Sequence, residues 1–202
     1  MKAAAQQDRS LDARRRLLEV AAQEMYHVGY QSASLKTITQ AAGVSKGCLY
    51  HHFENKQALG YAVLDELFAD LVAELWSGVV DAEAPVEAII GTLEQTVREL
   101  TGESLRFGCP ISNLAQEMSP LDEGFRARVE KVHGDWHRWL VDAFENARRK
   151  GQVDAKCDSS ALASLVMATA QGAKGLAKSA QDPEIYAEAI SGLVAYLRSI
   201  RR

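Results

Sequence analysis

The stretch SLKTITQAAGVSKGCLYHHF, residues 34–53, decides the fold. Ser34 is placed to cap a short helix running from Leu35 to Ala41 or Ala42, because a serine hydroxyl accepts an N–H that the first helical turn leaves unsatisfied. Gly43 breaks that helix, and a glycine there supplies the positive φ that a sharp turn requires. Ser45 caps a second short helix, about 46–51. Leu35, Ile38, Ala42, Val44, Leu49 and Phe53 can turn inward. Two short helices joined in this way form a helix-turn-helix, whose second helix enters the DNA major groove.

Outward from this stretch the pattern stays helical. Leu17, Val20, Ala21 and Met25 set an apolar stripe at 3/4 spacing in a first helix, about 11–28, which Gly29 ends as a left-handed cap. Asn55 caps a long fourth helix, about 56–78, with Leu59, Val63, Leu67, Leu71 and Leu75 on one face. Further helical patterns fall at about 86–101, 111–118, 122–150, 158–180 and 183–201, and TGESLRFGCP, 101–110, reads as irregular. Alternating strand patterns with hairpin turns are missing. The predicted class is all-α, about nine helices: a helix-turn-helix domain over 9–55, and a helical ligand-binding and dimerisation domain over 56–202.

Composition narrows the function. With 47% hydrophobic and 25% charged residues this is an ordinary globular profile. No run of about eighteen apolar residues is present, and the first sixteen residues hold no apolar signal core. No membrane association is expected. Three widely spaced cysteines, 48, 109 and 157, suit a reducing cytoplasm rather than a disulfide framework. The net charge is −4, but residues 1–60 carry +3 (eight Lys/Arg, five Asp/Glu) and the rest −7. A mildly basic head on an acidic body can approach a phosphate backbone.

Cys48, His51 and His52 stand at i, i+3 and i+4 and raise the question of a metal. A structural zinc site wants four ligands, and only Glu54 follows at ligand spacing, so no metal and no cofactor is predicted. A nucleophile and base on a convex helix have no pocket, and no catalytic residue is assigned.

The segment L-x-T-I-x-x-A-A-G-V-S-K-G-x-L-Y-H-H-F-x-N-K-x-A-L, preceded by A-A-x-E-M-Y-x-V-G-Y at 21–30, resembles the DNA-binding segment of TetR/AcrR-type bacterial transcription regulators. The specific resemblance covers about residues 12–65. It implies an all-α homodimer that represses from a palindromic operator, two recognition helices about 34–36 Å apart, and a small-molecule effector in the C-terminal bundle that loosens the DNA grip. Lys46 is then placed to reach a guanine edge or a phosphate, and Gly47 to let the backbone come close. Tyr50 offers its hydroxyl to a phosphate, as is common in the family, and His51 meets a base or phosphate. Ser34, Thr37, Ser45, Cys48 and Lys56 complete the DNA-binding set. Cys48 stands where the family more often has Ser, Thr or Ala. It reads either as a small residue between helix and DNA backbone or as a redox-sensitive thiol.

The C-terminal body is less specific. Gly108-Cys109 followed by Asn113, Leu114 and Glu117 is similar to a subgroup of these regulators, some of which respond to electrophiles or oxidants. Cys109 is therefore a candidate sensing thiol, against the reading of a small buried residue. Phe68, Phe107, Met118, Phe125, Trp136 and Met167 could line an apolar pocket, with Asn113, Glu117, His133 and Gln171 as polar candidates, although such stripes also build plain cores. The last two helices, rich in small and apolar residues, suit dimerisation. Two functions follow. One is a DNA-binding regulator, a repressor released by a small-molecule ligand or a thiol-modifying effector. The alternative is a small-molecule-binding or enzymatic helical bundle with a tethering helix-turn-helix.

Overall fold

The computed structural model describes residues 2–100 and 102–202, with side chains from Ser10 onward. Two compact units emerge: residues up to Asp70 together with Asn113–Val129, and Leu71–Ser112 together with Glu130–Arg202. The chain crosses between them at three places, each inside a helix. The predicted 9–55 segment lies inside the first unit.

In the first unit α1, Lys2–Val28, ends at Gly29, whose φ is +83°. It begins nine residues earlier than the stripe predicted, because the polar, alanine-rich start has no apolar face to announce it. α2, Leu35–Ala41, and α3, Lys46–His52, follow. Their caps are those the sequence specifies. Ser34 accepts from the N–H of Thr37 at 3.4 Å, and Ser45 from that of Cys48 at 3.1 Å. Gly43 takes φ +65° in the turn. Asn55 accepts from the N–H of Ala58 at 2.8 Å and starts the next helix, α4, at Lys56. Leu17, Leu18, Ala21 and Met25 of α1 share a buried core with Ile38, Ala42, Leu49 and Phe53, whereas Leu35 and Val44 are only half-buried.

α4 departs from the prediction of one regular helix. Lys56–Val63 passes through a π turn, Leu64–Phe68, into Ala69–Trp76. The N–H of Ala69 bonds to the carbonyl of Leu64, five residues back. Around this turn Glu66 receives both guanidinium nitrogens of Arg14, at 2.7 and 2.5 Å, and Asp65 pairs with Arg128 at 2.8 Å. Heptad-like leucine spacing carries no sign of such an insertion.

The second unit is built from α5, Pro85–Arg98; α6, Gly102–Phe107; the long α8, Glu123–Arg149; α9, Ser159–Ala180; and α10, Pro183–Ser199. α7, Pro110–Met118, and α8 each contribute residues to both units. The predicted irregular stretch 101–110 is therefore helical over α6, with Thr101 outside the described residues. Only Gly108 (φ +79°) and Cys109 separate α6 from α7. Trp76, Ile89, Ile90, Leu93, Trp136, Leu140, Phe144, Val166 and Leu197 form its core. Asp158 caps α9 and Asp182 caps α10, each through its carboxylate.

Candidate functional site

The solvent face of α3 follows from which of its residues the core claims. Leu49 and Phe53 are buried, so Lys46, Gly47, Tyr50 and His51 stand in solvent. The Lys46 ammonium lies 5.7 Å from the centre of the Tyr50 ring, and the Tyr50 side chain is 45% exposed. Thr37 is exposed on α2. Ser34 and Ser45 spend an oxygen lone pair on their caps, which leaves the hydroxyl proton of each available to a phosphate oxygen. Cys48 is half-buried. Among the described residues no group of three or more His, Cys, Asp or Glu is arranged to hold a metal ion.

Two basic side chains differ from a simple phosphate-facing set. His52 is half-buried; desolvation, then His51 and Arg14, holds its pKa below the ordinary histidine value. The Lys56 ammonium donates to the carbonyl of Gln31 at 2.9 Å and sits 4.9 Å from the Tyr30 ring centre. Burial lowers its pKa, against the opposing pull of Glu117. Lys56 thus has a partner within the turn after α1 that its sequence position did not suggest.

The second unit contains a cavity of about 420 Å³. Leu71, Val72, Leu75, Trp76, Cys109, Pro110, Ile111, Trp136, Gln171, Lys174 and Tyr186 are among the residues that line it. The hydroxyl of Thr96, also in the lining, donates to the carbonyl of Leu93 at 2.7 Å. Its single proton is thereby used, so the Tyr186 hydroxyl, 2.8 Å away, is the donor in the Thr96–Tyr186 pair. Burial raises the Tyr186 pKa, and the neighbouring Cys109 adds to the rise. Gln171 meets His133 at 3.1 Å, and desolvation lowers the pKa of His133.

Of the predicted ligand candidates, Cys109, Trp136 and Gln171 line this cavity, with His133 one hydrogen bond behind Gln171. Met167 packs against the core of the second unit, and the half-buried Phe107 lies under the Arg106 guanidinium. Phe68, Met118 and Phe125 are buried in the first unit, to which Asn113 and Glu117 also belong. Phe125 lies 4.6 Å from the ring of Tyr30 and 4.8 Å from that of Tyr61, centre to centre, and Glu117 holds backbone amides of the turn after α1. Thr96, Tyr186 and Lys174 also line the cavity, as do Glu74, Gln95, Glu99 and Ala170. Thr96 and Tyr186 carry no sequence signal, being single residues in amphipathic helices.

A capped helix-turn-helix with an outward basic and phenolic face defines a DNA-binding transcription regulator. The N-terminal family model, of the bacterial regulatory proteins of the tetR family, matches residues 17–63. The C-terminal domain model of tetracyclin repressor-like proteins matches residues 80–193. The chain belongs to the TetR family of ligand-responsive DNA-binding regulators. It is 31% identical over 161 residues to the HTH-type transcriptional repressor DhaR of Mycobacterium sp. strain GP1, covering 79% of each chain. It is also 31% identical over 150 residues to the transcriptional regulator AcuR of Cereibacter sphaeroides, covering 73% of this chain and 68% of that one. A TetR transcriptional regulator from Chloroflexus aurantiacus superposes with a TM-score of 0.86 at 28% identity, covering 96% of this chain and 98% of the other. Among the described residues no helix is long and apolar enough to cross a membrane.

Proposed function

We propose that this regulator is a repressor that binds a palindromic operator as a homodimer, paired through α9 and α10, and leaves it when a small molecule enters the cavity of the second unit. It acts by binding rather than by catalysis. The observation that carries the DNA-binding part is the division of α3: its apolar side chains are buried, and Lys46, Gly47, Tyr50 and His51 are left outside. Thr37 and the hydroxyls of Ser34 and Ser45 are placed to hold phosphates, contacts that position the protein, whereas Lys46 and His51 read bases. An operator selected from random duplex DNA tests this. Tyr50→Phe will lower affinity about tenfold on every sequence, since it removes one hydrogen bond to a charged group. Lys46→Ala will cost about 1–3 kcal/mol and relax base preference at one position of each half-site. Affinity will fall steeply with salt, by about 0.9 in logarithmic slope per phosphate contact. Unchanged operator binding in both variants would remove this surface from the mechanism.

A thiol-modifying effector is the second reading, favoured because Cys109 lines the cavity close to Tyr186. In a Cys48→Ser background, which removes the thiol on the DNA-reading helix, iodoacetamide will release the operator. Adding Cys109→Ser will abolish that response. Release that persists without Cys109 sinks the thiol reading and leaves reversible ligand binding.

A further inference from the structure

The turn between α1 and α2 decides where the helix-turn-helix sits on α1, and it is held by side chains from outside the motif. The N–H groups of Tyr30 and Gln31 each donate to one oxygen of the Glu117 carboxylate, both at 2.8 Å. Glu117 follows these residues by 87 and 86 positions. A Cβ on Gly29 would stand 3.0 Å from one of its oxygens, so glycine is needed there both for φ +83° and for the closeness of the carboxylate. Lys56 holds the carbonyl of Gln31, at 2.9 Å. The Tyr30 ring packs on Phe125. One turn thus has its donors taken by α7 and an acceptor taken by α4.

We propose that Glu117 is a positioning residue for operator binding, through which the helix-turn-helix is tied to α7 and its affinity for operator is regulated. A carboxylate that accepts two successive amides is satisfied in one placement only. Displacing the last turn of α7 disturbs this two-bond arrangement. The first turn of the same helix carries Pro110 and Ile111, which line the cavity. Ile111 precedes Glu117 by six residues, a rise of about 9 Å along one helix. The regulatory half of this proposal rests on reading that cavity as the effector site. The positioning half does not.

The test uses Glu117→Ala and Glu117→Gln in the full-length protein. Glutamine keeps the volume but puts an NH2 donor where one of the two acceptor oxygens stood, so one of the two amides faces another donor. Both variants are expected to lose at least tenfold in affinity for selected operator DNA, with affinity for random duplex within twofold of the parent. Amide hydrogen exchange should accelerate at Tyr30 and Gln31. A purely structural role would instead lower both affinities together with the melting temperature. Operator affinity within twofold of the parent in Glu117→Ala overturns the positioning role. For the coupling, Ala170→Trp fills the cavity in place of an effector, and Gln171→Trp does the same from the same helix should the first variant fail to fold. The filled cavity should weaken operator binding in the parent and add nothing in the Glu117→Gln background. Equal weakening in both backgrounds overturns the coupling while the cavity remains the effector site. No weakening in the parent overturns the effector-site reading and the coupling with it, and leaves the positioning role to the Glu117 variants alone.

Discussion

Leu49→Ala will destabilise the first unit by about 2–5 kcal/mol, the range for emptying a buried leucine site, and will abolish operator binding at 37 °C. Leu49 is fully buried and is the only buried residue within α3, with Phe53 just beyond it. A helix of seven residues has no independent stability in water. It exists because Leu49 and Phe53 hold it against α1 and α2, with which it packs. Against a total stability of about 5–15 kcal/mol, a loss of this size leaves α3 frayed or the unit open, and the exposed residues proposed to meet DNA go with it. Urea unfolding and gel shift on the same preparation check the claim. Tyr50→Phe serves as the comparison, because that ring is largely outside the core: it should lose DNA affinity and keep its midpoint. If Leu49→Ala unfolds at the parental midpoint, α3 is not anchored as described.

The legibility of the two units differs for a physical reason. Each signal that specified the helix-turn-helix is local. A cap needs one side chain and an amide three residues on, as at Ser34, Ser45 and Asn55. A tight turn needs one glycine, as at Gly43. The cavity has no such signature, because its wall is assembled from residues as distant as Leu71 and Tyr186, each an ordinary member of an amphipathic helix. Periodicity finds the face of a helix that is buried, but it does not say in which unit. Phe68, Met118 and Phe125 therefore read as pocket residues by periodicity but are core of the first unit. The place of Glu117 near Cys109 in the sequence suggests a ligand contact. Its partners, the amides of Tyr30 and Gln31, are backbone groups that no side-chain pattern encodes. The small residues of α9 divide in the same way. Ala163, Ala170, Ala173 and Ala177 are buried within the protomer, whereas Ala161, Ser164, Ala168, Gly172 and Gly175 are exposed.

That second set carries the other large effect. Leu176→Glu is expected to convert the protein to a monomer and to lower affinity for a palindromic operator at least a hundredfold. Ala161, Leu165, Ala168, Gly172 and Leu176 recur at 3/4 spacing on the exposed side of α9, and Gly192 and Tyr196 are exposed on the neighbouring α10. Gly172, Gly175 and Gly192 have open space where a Cβ would stand. A small-residue face bearing large apolar side chains is what two copies need for close helix approach around a two-fold axis. A glutamate placed there would be buried without a partner, a cost of about 3–5 kcal/mol in each copy by analogy with broken buried ion pairs. Each protomer presents one recognition helix, so losing the dimer removes the gain from linking two half-sites, about 10²–10⁴ in affinity. Light scattering reads the mass, and anisotropy with palindrome and single half-site reads the affinity. Half-site affinity should not change, because α3 and its supports are untouched. Leu121→Glu is the control: Leu121 is as exposed as Leu176, 63% in each case, but lies in the turn between α7 and α8. It should remain a dimer. A Leu176→Glu protein that stays dimeric and binds the palindrome like the parent would move the interface away from α9 and α10.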